Sequence, residues 1–482
     1  MQRIRLVEEG VVRQTLNDEG GAVTLLGWLL SRQSRFGLYA IFIMKKRIGV
    51  LKRNLVRALT AVLPRRARSA VYRNLVKCDA APPGRLILKL AETQEELEAC
   101  FKLLHDAYVG AGFMTPDESG MRVTIYHALP TTTTLLAKYD NRVVGTLSLI
   151  RESPLGFPLQ KIFDIEAIRR AGGNIAEVSA LAVDRHFQAT GGMILFPLMK
   201  FMYEYATRFF DTRHLVIAVN PRHIGLYESL LFFKRLKQNP VDHYDFVNGA
   251  PAVGAHLDLA SAAETYRKYY DHKASGKNLY RYFTALQMPN IVFPDKRFFT
   301  TNDPVMTPAL INCFFNLRTR VFQKLGEQEK RQLHEIYDLP AYKAYLPRVS
   351  EEGEKKSVSR RQHQRFSVMC PAEFFIDKRE EVLFPLMVIE CSMTGFRARS
   401  ETRLPANVHG KVLINLGQQD HSQMRVSVVR GGVSDPQVFV FRIEGPDVAW
   451  QKFVNVLRMA STHGELSAAT QFWDRAQPVS RL

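Results

Sequence analysis

Residues 174–193 read NIAEVSALAVDRHFQATGGM. The segment NIAEVSALAVD reads as a strand. Glycines follow at 191 and 192, and the continuation GGMILFPLMKFMYEYATRFF carries an apolar stripe at helical spacing. A strand, a glycine turn and a helix start make an anion cradle. Glycine lets the backbone approach a phosphate, and the free N–H groups of the first helical turn point at it. Within the strand, Glu177 stands two residues before Ser179 on one face. Glycine-opened helices are common, so a plain turn is the alternative reading.

Outward from this stretch, strand and helix alternate. RLILKLA (85–91) reads as a strand and QEELEACFKLLHDAYV (94–109) as a helix. TTLLAKYDNRVVGTLSLI (133–150) reads as two strands joined at Asp140-Asn141. HLVIAV (214–219) is a strand and HIGLYESLLFF (223–233) a short helix.

That order resembles an acyltransferase of the GNAT type, an α+β domain with a mixed sheet flanked by helices. Gln188, Gly191 and Met193 fall where that family has Q/R-x-x-G-x-G/A, with Met193 departing from the small residue of the third slot. VNPRHIGLYESLLFF (219–233) is similar to the later segment in which an asparagine precedes a helix that carries a tyrosine and ends in Gly-Phe. Asn220, Tyr227, Phe232 and Phe233 match, and the glycine is replaced. More narrowly, EVSALAVDRHFQ, FKLLHDAYVGAGFM and the segment around His223 resemble the acyl-homoserine-lactone autoinducer synthases and the N-acyl amino acid synthases (FeeM type), over about residues 88–260.

The resemblance implies direct attack of an amine on a thioester. Glu177 would be the base and Tyr227 the proton donor to the departing thiolate. Val183, Gln188, Gly191, Gly192 and Asn220 would bind the acyl donor, with backbone N–H groups near Ala182 and Val183 polarising the carbonyl. The donor would be acyl carrier protein or acyl-CoA, and no tightly bound cofactor is implied. The plain readings are a structural carboxylate for Glu177 and a core tyrosine for Tyr227. Apolar residues in 100–130 and 155–170 are candidates to line an acyl tunnel. Residues 261–347 form a helical extension, clearest in TPALINCFFNLRTRVFQKLGEQEKRQLHEIY (307–337), which either packs on the acyltransferase or presents a partner surface.

After a charged linker at 348–359, six short apolar-alternating segments and a final helix suggest a small all-β antiparallel barrel over 360–465, with a tail at 466–482. VSRRQHQRF (358–366) opens it and ECSMTG (390–395) follows. R-x-x-x-R, here Arg361 and Arg365 with Arg360 ahead, and D/N-x-S-x-x-G, here with Glu390 in the acid slot and then Ser392 and Gly395, resemble the PilZ domain. That domain binds cyclic di-GMP. Arginine forks suit its phosphates and guanine edges. Glu390 is one methylene longer than the family's residue, which puts the contact in doubt.

The chain of 482 residues carries a net charge of +19 and a pI near 9.7. Residues 45–78 hold eleven Lys/Arg and no acid. Ile48, Leu51, Leu55, Leu59 and Val62 make a helical stripe there, so the region 1–85 reads as a basic amphipathic helix for an anionic membrane surface, or as a helix packed on its own domain. An acidic acyl carrier protein would suit the same charge. A nucleic-acid polymer is not expected, since Tyr72 is the one aromatic in 45–78. Five scattered cysteines give neither metal spacing nor a disulfide framework. With no secretory pattern and no spanning run, the expected place is the cytoplasm, with the inner membrane as a peripheral contact.

Overall fold

The computed structural model describes residues 64–78, 83–188, 190, 192–294, 298–300, 306–337, 340–350, 365–377, 379–405, 407–417, 420–431 and 437–459. The expected amphipathic helix at 48–62 lies outside them. Contacts divide the chain into two units. In one, the described element is the helix beginning at Arg65, RRARSAVYRNL, basic and without an acid in its first turn. The other unit holds the described residues from Leu75 onward apart from Thr190. Among the described residues no helix is long and apolar enough to cross a membrane.

The larger unit starts with β1 (Leu86–Leu90), α1 (Gln94–Ala111), β2 (Thr132–Tyr139), β3 (Arg142–Arg151) and β4 (Asn174–Val183). Then come α2 (Leu195–Phe210), β5 (Thr212–Val219), α3 (Pro221–Leu230), β6 (Lys234–Arg235), β7 (Val241–Tyr244), β8 (Ala250–Asp258), α4 (Leu259–Tyr270) and α5 (Leu279–Thr284). Local chemistry sets the boundaries. Thr93 caps α1 by accepting the Glu96 N–H at 3.3 Å, and Gly112 ends it in the left-handed region, φ 76. Asp140 and Asn141 both take positive φ, 49 and 61, the two-residue turn that matches strand twist.

The strands lie in the order β1-β2-β3-β4-β5-β8-β6, with β7 paired to β8. Every pairing is antiparallel except β4 with β5. This mixed sheet with helices on both faces is a GNAT-like α+β fold. The parallel pair is short: Asn174–Glu177 pair with Thr212–Val216, and the ladder ends at Glu177. Beyond it β4 bulges against β3, and Ala180 takes φ 52, a conformation that a non-glycine residue adopts only under constraint. The strands part there and leave a gap through the sheet.

Phe232 adopts the left-handed φ of 59, uncommon for a bulky residue. Its ring stacks on Tyr269 at 5.0 Å and meets Tyr266 and Tyr270 edge-on, which offsets a strain of roughly 1–2 kcal/mol. The 307–337 stretch is not the single helix its spacing suggests. Pro308–Ile311 runs into a π-helical turn at Asn312–Arg318, and a separate helix, α6, spans Glu327–Ile336. The break lets Phe314 turn onto Phe101 of α1 at 5.2 Å. This part of the extension therefore packs on the mixed-sheet domain, with Tyr337 donating to the Ala128 carbonyl.

Six strands, β9 (Phe366–Ile376), β10 (Arg379–Ser392), β11 (Gly395–Arg399), β12 (His409–Gly417), β13 (Asp420–Gly431) and β14 (Val438–Ile443), close an antiparallel barrel in the order β10-β11-β14-β13-β12-β9. Helix α7 (Val448–Met459) covers it, with Trp450 and Phe453 fully buried. An earlier segment completes the core. Phe298 is 1% exposed, bridges Gly417 and meets the Phe453 ring at 5.1 Å, while Thr300 bridges Val368. A fragment beginning at residue 350 lacks that ring, a loss of about 3–5 kcal/mol by the usual cost of deleting a buried phenylalanine. It should melt well below a fragment beginning near residue 286. Equal melting temperatures in calorimetry would show that Phe298 adds nothing.

Candidate active site

Glu177 occupies the last rung of the β4–β5 ladder, so its side chain stands where the gap opens. It is 2% exposed and accepts the Leu159 N–H at 3.0 Å through Oε2. Burial pushes its carboxyl up to about 8, against the opposing pull of that N–H. A carboxyl poised near neutral pH is suited to take a proton. Burial, then the Glu177 charge, pushes the phenols of Tyr126 and Tyr244 up. His127 is no competitor, since burial and the Arg122 charge pull it down to about 3.

Tyr227 is partly exposed on α3. Burial first, and Tyr108 second, push its phenol up to about 12, so it stays protonated. It lines an apolar cavity on the α2 face of the sheet, between Val178 and Leu181 of β4, Ile217 of β5, Met199 of α2 and Tyr266 of α4. The 100–130 and 155–170 segments contribute nothing to this cavity. Residues 114–125 instead line a second one, of about 290 Å³, with Thr319–Leu325 of the extension.

The other expected donor-site residues stand at the end of β4 and ahead of α2 and α3. The Val183 carbonyl accepts from Gln188 Nε2 at 3.0 Å. Gly191 lies outside the described residues. Gly192 has φ 99, and a Cβ there would stand 2.5 Å from the Phe196 ring, so the position requires glycine. Asn220 caps α3, its Oδ1 accepting the Arg222 N–H at 3.0 Å, with Pro221 in the first turn. Gln188 and Asn220 thus have local backbone roles in addition to any at a donor.

On the barrel, Arg365, Glu390, Ser392 and Gly395 come together at the β10–β11 hairpin. Arg365 Nη1 pairs with Glu390 Oε1 at 2.8 Å, and Arg397 lies 3.8 Å from the other oxygen. Ser392 Oγ donates to the Gly395 carbonyl at 3.0 Å. A Cβ at Gly395 would sit 2.6 Å from the Phe441 carbonyl, so strand packing alone demands that glycine. Arg360 and Arg361 lie outside the described residues. Among the described residues no cluster of three His, Cys, Asp or Glu could hold a metal.

Sequence reasoning passed over Arg122, Tyr108, Tyr244 and Phe246. Arg122 is 5% exposed, with its guanidinium 4.1 Å from the Tyr108 ring centre and 4.7 Å from that of Phe246. A lone arginine in GMRVTIYHAL and an aromatic pair in VDHYDF carry no spacing that links them.

Residues 99–258 match the family model of N-acyl amino acid synthase FeeM, and on that match the chain carries an N-acyltransferase domain. Among solved structures, FeeM, an N-acyl amino acid synthase from uncultured soil microbes, is 26% identical with a TM-score of 0.33, over 37% of this chain and 94% of that one. BjaI, a CoA-dependent acyl-homoserine lactone synthase solved with SAM and isopentyl-CoA, is 19% identical with a TM-score of 0.32, over 44% and 95%. yncA, a putative acetyltransferase from Salmonella typhimurium solved with acetyl-CoA, is 17% identical with a TM-score of 0.27, over 36% and 95%. No curated protein matches the chain.

Proposed function

We propose that the chain moves a long acyl group from an acyl carrier protein or coenzyme A thioester onto the amino group of an amino acid, under control of cyclic di-GMP bound by the barrel. The observation that carries this reading is the buried Glu177 carboxyl at the head of the β4–β5 gap, with an apolar cavity on the far face of the sheet. The thioester would lie in the gap and its acyl chain in the cavity. The amine would approach from the Glu177 side and give that carboxylate its proton. Its nitrogen then attacks the carbonyl carbon. Residues Val178–Val183 have no β5 ladder partners. Their N–H groups, those of Ala182 and Val183 among them, would stabilise the oxyanion. The C–S bond breaks, the nitrogen gives its second proton to the Tyr227 oxygen as that hydroxyl passes its own proton to the departing thiolate, and an amide and a free thiol leave. Gln188, Gly191, Gly192 and Asn220 would hold the phosphate end of the donor.

The barrel reading rests on the hairpin that gathers Arg365, Glu390, Ser392 and Gly395 at one edge. Arg360 and Arg361 would add phosphate contacts. The basic residues of 45–78 suit an acidic carrier protein or an anionic lipid surface. Mass spectrometry of lipid extracts from cells producing the chain should find a long-chain N-acyl amino acid. Acetylated products alone, with both donor types supplied, would point to a small-acyl enzyme. No thiol release with any donor would leave the domain a non-catalytic scaffold.

A further inference from the structure

Arg122 is a buried cation that pairs with no acid among the described residues. Its Nη2 donates to the Phe246 carbonyl at 2.8 Å, and two aromatic rings flank its plane. Nη1 is buried and meets no acceptor, and Arg122 makes no ion pair among the described residues. The Tyr244 hydroxyl is likewise buried with no partner. Two unpaired groups in one place are costly to fold, because each gives up water for nothing. The nearby acids do not answer the charge. Asp117, on the wall of the same cavity, is engaged by the Ser119 hydroxyl and N–H at 2.5 and 3.0 Å. Glu177 and Arg122 each lie near enough to Tyr244 to act on its phenol.

An unpaired guanidinium thus stands on the cavity wall, with an unpaired hydroxyl near it and a proton-accepting carboxyl near that hydroxyl. That is the complement of a zwitterion. We propose that Arg122 and Tyr244 bind the carboxylate of an α-amino acid acceptor and so turn its amine toward Glu177. A planar guanidinium held between rings loses little freedom on taking a carboxylate. The acceptor's side chain would enter the cavity between Met114, Met121 and Ile125 and the extension residues Val321 and Leu325. The extension thereby becomes part of the acceptor site. This inference rests on the acyltransferase reading above and adds to it which residues choose the acceptor.

The test offers the full chain a panel of L-amino acids and the amines left when each loses its carboxylate, with thiol release as the readout. The parent should favour the amino acids. Arg122→Leu should lower kcat/KM for them by about thirtyfold or more, the usual effect of leaving a buried charge partnerless, and should spare the decarboxylated amines. Tyr244→Phe should do the same more weakly, and Arg122→Lys should restore part of the preference. Equal losses on both sets would mean Arg122 only supports the fold and would overturn the proposal. So would a parent indifferent to the carboxylate, although acyl transfer itself would stand. A parent that releases no thiol with any amine sinks the acyltransferase reading, and this one with it.

Discussion

Glu177→Gln should lower acyl transfer by about a hundredfold or more, the usual range for removing a positioned general base. The parent's rate should rise as pH climbs through about 8, where the Glu177 carboxyl ionises, and the variant should lose that rise. The same shift makes a statement about stability. The native carboxyl holds its proton up to about 8, whereas in the unfolded chain it loses it near the ordinary value of 4.5. Its neutral form therefore favours the fold fully below the unfolded value, and that contribution is lost as pH rises through the folded one. Glutamine mimics the neutral form at every pH. The variant should melt above the parent at pH 9, with a smaller difference at pH 5. Unchanged kinetics in the variant would remove Glu177 from the chemistry, whatever the melting curves show.

Arg365→Ala should weaken binding of cyclic di-GMP by tenfold or more in calorimetry on the full chain. The competing energies decide this. Arg365 and Glu390 form a half-exposed pair, with side chains 50% and 27% exposed. Such pairs contribute about 0–1 kcal/mol, whereas a guanidinium contact to a phosphate or guanine edge is worth about 1.5–3 kcal/mol. A ligand can therefore draw Arg365 away. Glu390→Asp, one methylene shorter, should loosen the pair and tighten binding with the barrel unchanged. A folded parent that gives no heat at high micromolar ligand would make the barrel a docking module with no nucleotide.

Much of the fold was legible because short-range rules governed it. Thr93 and Gly112 bracket α1, Asp140-Asn141 take the only turn that suits them, and the six barrel strands lie where apolar alternation put them. The place of Glu177 within a strand was legible because the segment 174–183 reads as one, with Glu177 and Ser179 on the same face. The change from α- to π-helix after Ile311 was not, because the Phe314 ring packs on Phe101, more than 200 residues earlier, and no local pattern announces that contact. Arg122 was hidden for the same reason. Its meaning depends on Tyr244 of β7 and Phe246 of the turn after it, more than 100 residues later, and on the absence of an acid that no local pattern announces.

Phe298 has a consequence in time. It belongs to the barrel core, but it leaves the ribosome roughly 150 residues before its partner Phe453, a delay on the order of 10–30 s at ordinary synthesis rates. For that interval the acyltransferase can fold while a large aromatic ring beside it has nowhere to go. A chaperone that captures exposed phenylalanines has its longest opportunity then. Translation halted before the barrel strands would strand that ring permanently, so truncated chains should be more aggregation-prone than their missing length alone implies.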